Sequence, residues 1–266
     1  MESDSECRGA SPDLEALLRA AEGGSIDAAV TLGSMYRSGK GVPQNYREAL
    51  RWYLIAAERG SIEAEAGLGY LYFTGGDGVR PDFRESFSWY LKAAEQGDAD
   101  SEYSAGYLYE TGIGVPENPA EAFRWYMKAA AQGHREAEYC LGHMYETGQG
   151  APLDLSQALS WYTSAAEQGQ SDAELALGMI HEAGRGTERD LSEAAKWYRR
   201  AADQGDDEAQ YRLGVLYRDG RGVERDLGRR LSSSGSPRRP AMRPRSGRSR
   251  KWALTARERG VGRQIG

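Results

Sequence analysis

The feature that most constrains this chain is a phrase it repeats. WYMKAAAQG at 125–133 has near copies that begin at Trp52, Trp89, Trp161 and Trp197, spaced 37, 36, 36 and 36 residues apart. A fixed period in this range marks a chain built by stacking one supersecondary unit, because a single unit cannot bury its apolar face alone. Five full units are expected at 25–60, 61–97, 98–133, 134–169 and 170–205. A sixth starts at 206–227, and a lone helix at 17–24 precedes the first. The second unit carries one extra residue, within GGDGV.

Each unit predicts two helices. In the fourth, Ala137, Leu141, Met144 and Tyr145 fall at three- and four-residue steps, one face of a helix. A glycine follows this leucine position in every copy: Gly33, Gly69, Gly106, Gly142, Gly178 and Gly214. Glycine inside a helix costs about 1 kcal/mol against alanine, so its return implies a neighbouring helix too close for any side chain. Gly148 and Gly150 end the helix. The second helix opens with a cap followed three residues later by an acid or amide: Asn45 and Glu48, Asp82 and Glu85, Asn118 and Glu121, Asp154 and Gln157, Asp190 and Glu193. That spacing predicts reciprocal bonds between the two residues and the free N–H groups of the first turn. The tryptophan of each copy is expected to fill the space between units.

These residues resemble the Sel-one-like repeat family, a relative of the tetratricopeptide repeat. The fourth unit supplies the whole pattern in register: Ala137, Leu141, Gly142, Tyr145, Gly148, Gly150, Ala158, Trp161, Tyr162, Ala165, Ala166 and Gly169. Departures are few: Ala105, Ser86 and His181 stand where Leu, Ala and Tyr are usual. The resemblance implies an all-α solenoid of stacked antiparallel helix pairs in a right-handed superhelix. It also implies an adaptor for other proteins with no chemistry of its own.

The copying stops after GVERDL. Ser233 occupies the place of the next tryptophan, and an Arg-, Ser-, Pro- and Gly-rich stretch follows. From residue 228 there are 12 basic residues and one acid, Glu258. Residues 1–227 carry a net charge of −17, so the overall −6 describes neither part. The domains expected are a disordered 1–12, a repeat array at 13–227, and a basic, disordered tail at 228–266. Within the tail, KWALTARERG places Trp252, Glu258 and Gly260 at the spacing of Trp52, Glu58 and Gly60. Two readings stay open for 250–260: a displaced second helix, or a tail unrelated to the array.

Chemistry finds little support. Cys140, His143 and Glu146 are three apart, but no second Cys or His cluster completes a metal site. The GxG pairs, such as 112–114, lack the preceding strand and following Lys-Ser/Thr of a phosphate loop. No nucleophile has an evident base. Neither an enzyme nor a cofactor is expected. Two cysteines suit a reducing, cytoplasmic setting, the acidic N-terminus is unlike a secretory leader, and no run is apolar enough to span a membrane.

What remains is a surface. On the first helices, variable positions at i, i+4 and i+7 should line the inner face of the array. The expected partner-binding residues are Tyr70, Phe73, Tyr103, Tyr107, Glu110, Tyr139, His143, Glu146, Met179 and Glu182. Together they would form an aromatic floor with an acidic rim, suited to a peptide carrying basic and apolar residues. The competing reading is that Tyr103 and Tyr139 simply pack between helices. Two alternatives to a scaffold are a nucleic-acid- or anionic-surface-associated protein acting through the tail and a regulatory subunit of an enzyme complex.

Overall fold

The computed structural model describes residues 12–225. Expectations for 1–11 and for the tail from 228 onward, including 250–260, lie outside the described residues. Among the described residues the chain is helical throughout, with a single isolated bridge, Gly76 to Val79, and no strand. The chain divides between Glu117 and Asn118, inside the third copy of the repeat.

The first unit holds α1 (Pro12–Glu22), α2 (Ile26–Ser38), α3 (Tyr46–Ala57), α4 (Ile62–Thr74), α5 (Phe83–Glu95) and α6 (Ala99–Thr111). The second holds α7 (Pro119–Ala131), α8 (Arg135–Thr147), α9 (Leu155–Glu167), α10 (Ser171–Ala183), α11 (Leu191–Asp203) and α12 (Asp207–Asp219). Within each, consecutive helices pack against one another. The extra residue of the second copy is absorbed where Gly76 and Val79 exchange backbone hydrogen bonds of 2.9 Å.

Both helix types start on capping side chains. The second helices use the predicted residues: Asn45 Oδ1 accepts from the N–H of Arg47 and Glu48, and Asp154 Oδ1 from Ser156 and Gln157. At four of the five caps another bond takes the place of the predicted reciprocal one. The cap's own N–H donates instead to the last turn of the preceding helix: Asn45 to the Tyr36 carbonyl (2.8 Å), Asp82 to Tyr72 (2.8 Å), Asp154 to Tyr145 (2.9 Å) and Asp190 to His181 (3.0 Å). That bond satisfies a carbonyl the first helix would otherwise leave open. The acids at the third position are then released to pair with cations on the same helix, as Glu121 does with Arg124 (2.7 Å) and Glu193 with Lys196 (2.7 Å). The first helices are capped by residues the repeat pattern does not single out: Ser25, Ser61, Asp98, His134, Gln170 and Asp206.

The ring buried in every full copy is the tyrosine, whereas the tryptophan is buried in only some. Tyr53, Tyr90, Tyr126, Tyr162 and Tyr198 are all buried. Trp52 and Trp125 are buried too, but Trp89, Trp161 and Trp197 are only half-buried. A cation one turn on covers the outer face of Trp89 (Lys92 Nζ 3.9 Å from the ring centre) and of Trp197 (Arg200, 4.8 Å). The glycine that follows the leucine position makes room for the tyrosine. A Cβ added at Gly33 would lie 2.6 Å from Tyr53 Cδ1, one at Gly69 2.7 Å from Tyr90, and one at Gly142 2.6 Å from Tyr162. So the close neighbour is an aromatic ring rather than a second backbone. Tyr53 also reaches the next first helix, where a Cβ at Gly67 would meet its Cζ at 2.8 Å. Ser86 fits the buried alanine position because its hydroxyl donates to the Gly69 carbonyl at 2.8 Å.

Candidate functional site on the first helices

In the first unit, α4 and α6 carry Tyr70, Phe73, Tyr103, Tyr107 and Glu110. Tyr70 and Phe73 are half-exposed, and both pack against a small cluster of Tyr90, Tyr107 and Leu108. The Arg37 guanidinium lies over the Tyr70 ring at 5.0 Å, and Phe73 meets Phe83 edge-on at 5.6 Å. Tyr103 and Glu110 are half-exposed. Tyr107 is different: it is 9% exposed and belongs to that cluster, so it supports the surface more than it forms it.

In the second unit, α8 and α10 carry Tyr139, His143, Glu146, Met179 and Glu182, all half-buried. Tyr139 leans on Tyr162, ring centres 5.7 Å apart, so it does pack between helices while keeping an outer edge. Met179 packs on the cluster formed by α11 and α12.

The acids here are not a bare rim. Glu146 Oε2 accepts from the buried Tyr162 hydroxyl at 2.7 Å, and its other oxygen pairs with Arg185 at 2.8 Å. His143 Nδ1 stands 4.0 Å away. The His143 ring, the Tyr162 hydroxyl and the Arg185 charge together outweigh burial and hold this carboxyl down to about 2. Glu182 repeats the arrangement one unit on: Tyr198 donates to it at 2.6 Å and Arg212 at 3.0 Å. Both carboxylates thus anchor the tyrosine that fills the glycine gap, and an arginine offsets the charge of each. A surface that recruits basic residues through Glu146 and Glu182 is therefore a poorer description than an apolar and aromatic one.

A second set of acids has no place in the sequence-based expectation. Glu65, Glu102, Glu138 and Glu174 are buried in the first turns of first helices. Three of them accept from the glutamine that ends the second helix of the same copy: Gln96 to Glu65 at 2.6 Å, Gln168 to Glu138 at 2.7 Å and Gln204 to Glu174 at 2.7 Å. Arg200 adds an ion pair to Glu174 at 2.8 Å. Burial raises the pKa of Glu65, Glu138 and Glu174 against the pull of these partners. A signal for this bond was present in the sequence. Ala29 and Arg59 stand at the two positions in the first copy, so acid and amide are lost together.

Among the described residues no group of three or more His, Cys, Asp or Glu is placed to hold a metal ion, and no helix is long and apolar enough to cross a membrane.

The geometry therefore repeats copy by copy, and so does the family signal. The Sel1 repeat model matches residues 26–61, 62–98, 99–134, 135–170, 171–206 and 207–229. The chain belongs to the Sel1 repeat family. A protective antigen of uropathogenic Escherichia coli displaying the SLR fold is 36% identical over 83% of this chain and 47% of its own, with a TM-score of 0.76. A Sel1 repeat protein from Oxalobacter formigenes is 35% identical over 82% of this chain and 64% of its own, with a TM-score of 0.74. This chain thus spans about half to two thirds of the length of these solved relatives. No curated protein matches it. Sel1 repeat proteins are in general interaction scaffolds without catalytic activity, and the all-α repeat class read from the sequence holds here.

Proposed function

We propose that this Sel1 repeat protein is a non-enzymatic scaffold that takes a segment of a partner protein along the exposed edges of α8 and α10. One observation carries the reading. Half-exposed aromatic and apolar side chains recur at corresponding positions of two first helices: Tyr139 and His143 on α8, Leu175 and Met179 on α10. Aromatic residues on a firm base are the usual anchors of protein interfaces. Here the base is firm because Tyr162 and Tyr198 are buried directly beneath, each tied to a carboxylate. With Glu146 and Glu182 already paired, the partner segment is one rich in apolar side chains rather than in lysine and arginine. A cytoplasmic setting is part of the proposal, since two cysteines in 266 residues are too few for a disulfide framework.

The test is affinity capture with the full chain, repeated with His143→Ala and Met179→Ala combined. The proposal expects a partner depleted at least tenfold while circular dichroism shows the variant still folded and helical. Undiminished capture by the double variant would remove the site.

A further inference from the structure

Arg200 fills a place where three helices meet. Its guanidinium lies over the Trp197 ring at 4.8 Å, its Nε pairs with the buried Glu174 at 2.8 Å, and its Nη2 donates to the Ala166 carbonyl at 2.6 Å. An indole face, a carboxylate and a carbonyl suit a guanidinium: the ring takes its flat face, and the two acceptors take N–H groups along its edge. The Arg200 side chain is 45% exposed, so this place opens to solvent.

Thirty-six residues earlier the same three groups recur: Trp161 on α9, Glu138 on α8 and the Ala130 carbonyl on α7. The side chain between them does not, because Ser164 stands where Arg200 stands. The second and third copies keep a cation there, with Lys92 over Trp89 and Lys128 over Trp125, each at 3.9 Å. The first copy has lost both charges, with Ala29 at the place of the acid and Ile55 at that of the cation. Among the five full copies, the fourth alone keeps the acid and lacks the cation.

Glu138 is 4% exposed and accepts from the Gln168 amide, a neutral donor, at 2.7 Å. The basic residues beside it are engaged elsewhere. His134 Nδ1 caps the Ala137 N–H at 3.3 Å, while Arg135 pairs with Glu136 at 3.0 Å and donates to the Gln168 carbonyl at 3.4 Å. The Trp161 ring is half-buried. Ala166 takes Arg200 in addition to its backbone bond from Gly169 (2.9 Å), and Ala130 carries the same backbone bond, from Gly133 (2.8 Å). A buried carboxylate gains most from a partner that brings both charge and N–H groups.

We propose that Trp161, Glu138 and the Ala130 carbonyl form a binding place for the guanidinium of an arginine supplied by a partner protein. The arginine enters over Ser164 and repeats the contacts of Arg200. The net charge of −17 on residues 1–227 favours the approach of such a partner. The place shares no residue with the surface on α8 and α10 proposed above, so each stands without the other.

The test titrates the full chain with N-acetylarginine amide, with N-acetylleucine amide as the uncharged control. It follows the indole N–H resonances of Trp161 and Trp197, assigned from Trp161→Phe and Trp197→Phe. The expected result is a saturable shift at Trp161 with the arginine probe only, and no shift at Trp197. Glu138→Gln removes the charge, and Ser164→Arg supplies from within the chain the side chain that Arg200 supplies one copy on. Each should weaken binding at least tenfold, with circular dichroism showing both variants helical. No saturable shift at Trp161, an equal response to the leucine probe, or undiminished binding by either variant would overturn the proposal.

Discussion

Tyr162 occupies the volume that a side chain at Gly142 would need. A Cβ there would fall 2.6 Å from Cδ1 of the ring, while the hydroxyl at the ring's far end donates to Glu146 at 2.7 Å. One side chain therefore joins the apolar centre of the hairpin to its polar edge, and the substitutions that follow probe each end.

Gly142→Ala should destabilise the protein, although alanine is favoured over glycine inside a helix by about 1 kcal/mol. The added methyl meets a ring that is itself fully enclosed, and overpacking of that kind costs about 1–3 kcal/mol. Denaturant unfolding should show the loss, and Gly142→Ala with Tyr162→Leu should recover part of it. A more stable Gly142→Ala would contradict the packing described.

Tyr162→Ala should cost about 3–5 kcal/mol, as large aromatic truncations in cores do. Trp161→Ala, next to it in sequence but half-buried, should cost well under that. Paired melting curves decide the order, and a larger loss at Trp161 would contradict the burial of the two rings described here.

Glu146 makes stability depend on acid pH in a defined direction. Its folded-state pKa lies below the unfolded value, at about 2, so its contribution is complete above about pH 4.5 and is lost as pH falls toward 2. Glu146→Gln should be less stable than the parent at pH 7, and the difference should shrink between pH 4.5 and 2. Stability curves that stay parallel across this window would show that the carboxylate charge is not what matters.

Glu138 should behave in the opposite sense. Burial raises its folded-state pKa, so it favours folding below its unfolded value and loses that advantage as pH rises through the folded one. Glu138→Gln, whose carbonyl can still accept from Gln168, should gain on the parent as pH rises through that range. Unfolding titrations of the two proteins would reveal the crossover, and a constant offset would refute it.

Asp154→Ala should cost about 1 kcal/mol, the usual value of a lost N-cap, because the N–H groups of Ser156 and Gln157 lose their acceptor. The backbone bond from Asp154 to Tyr145 survives the change. A loss of several kcal/mol would mean that this connection depends on the side chain as well.

Much of the architecture is legible in the amino-acid sequence. The Trp-Tyr period sets the number of copies, the caps Asn45, Asp82, Asn118, Asp154 and Asp190 start the second helices where they should, and Gly148 ends α8 in the left-handed conformation at φ 73°. These features depend on hydrogen bonds and backbone preferences within a few residues, so local sequence is enough to fix them. Only the tertiary structure decided which of two adjacent rings goes inside. Trp161 and Tyr162 lie about 100° apart around their helix, and the packing of α9 on α8 selects the tyrosine. The fate of the acids was settled in the same way. Glu146 is spaced like a surface residue, yet the Tyr162 hydroxyl 16 positions away and Arg185 in the next copy draw it inward. No local pattern carries that information, because the partners become neighbours only once the helices have stacked.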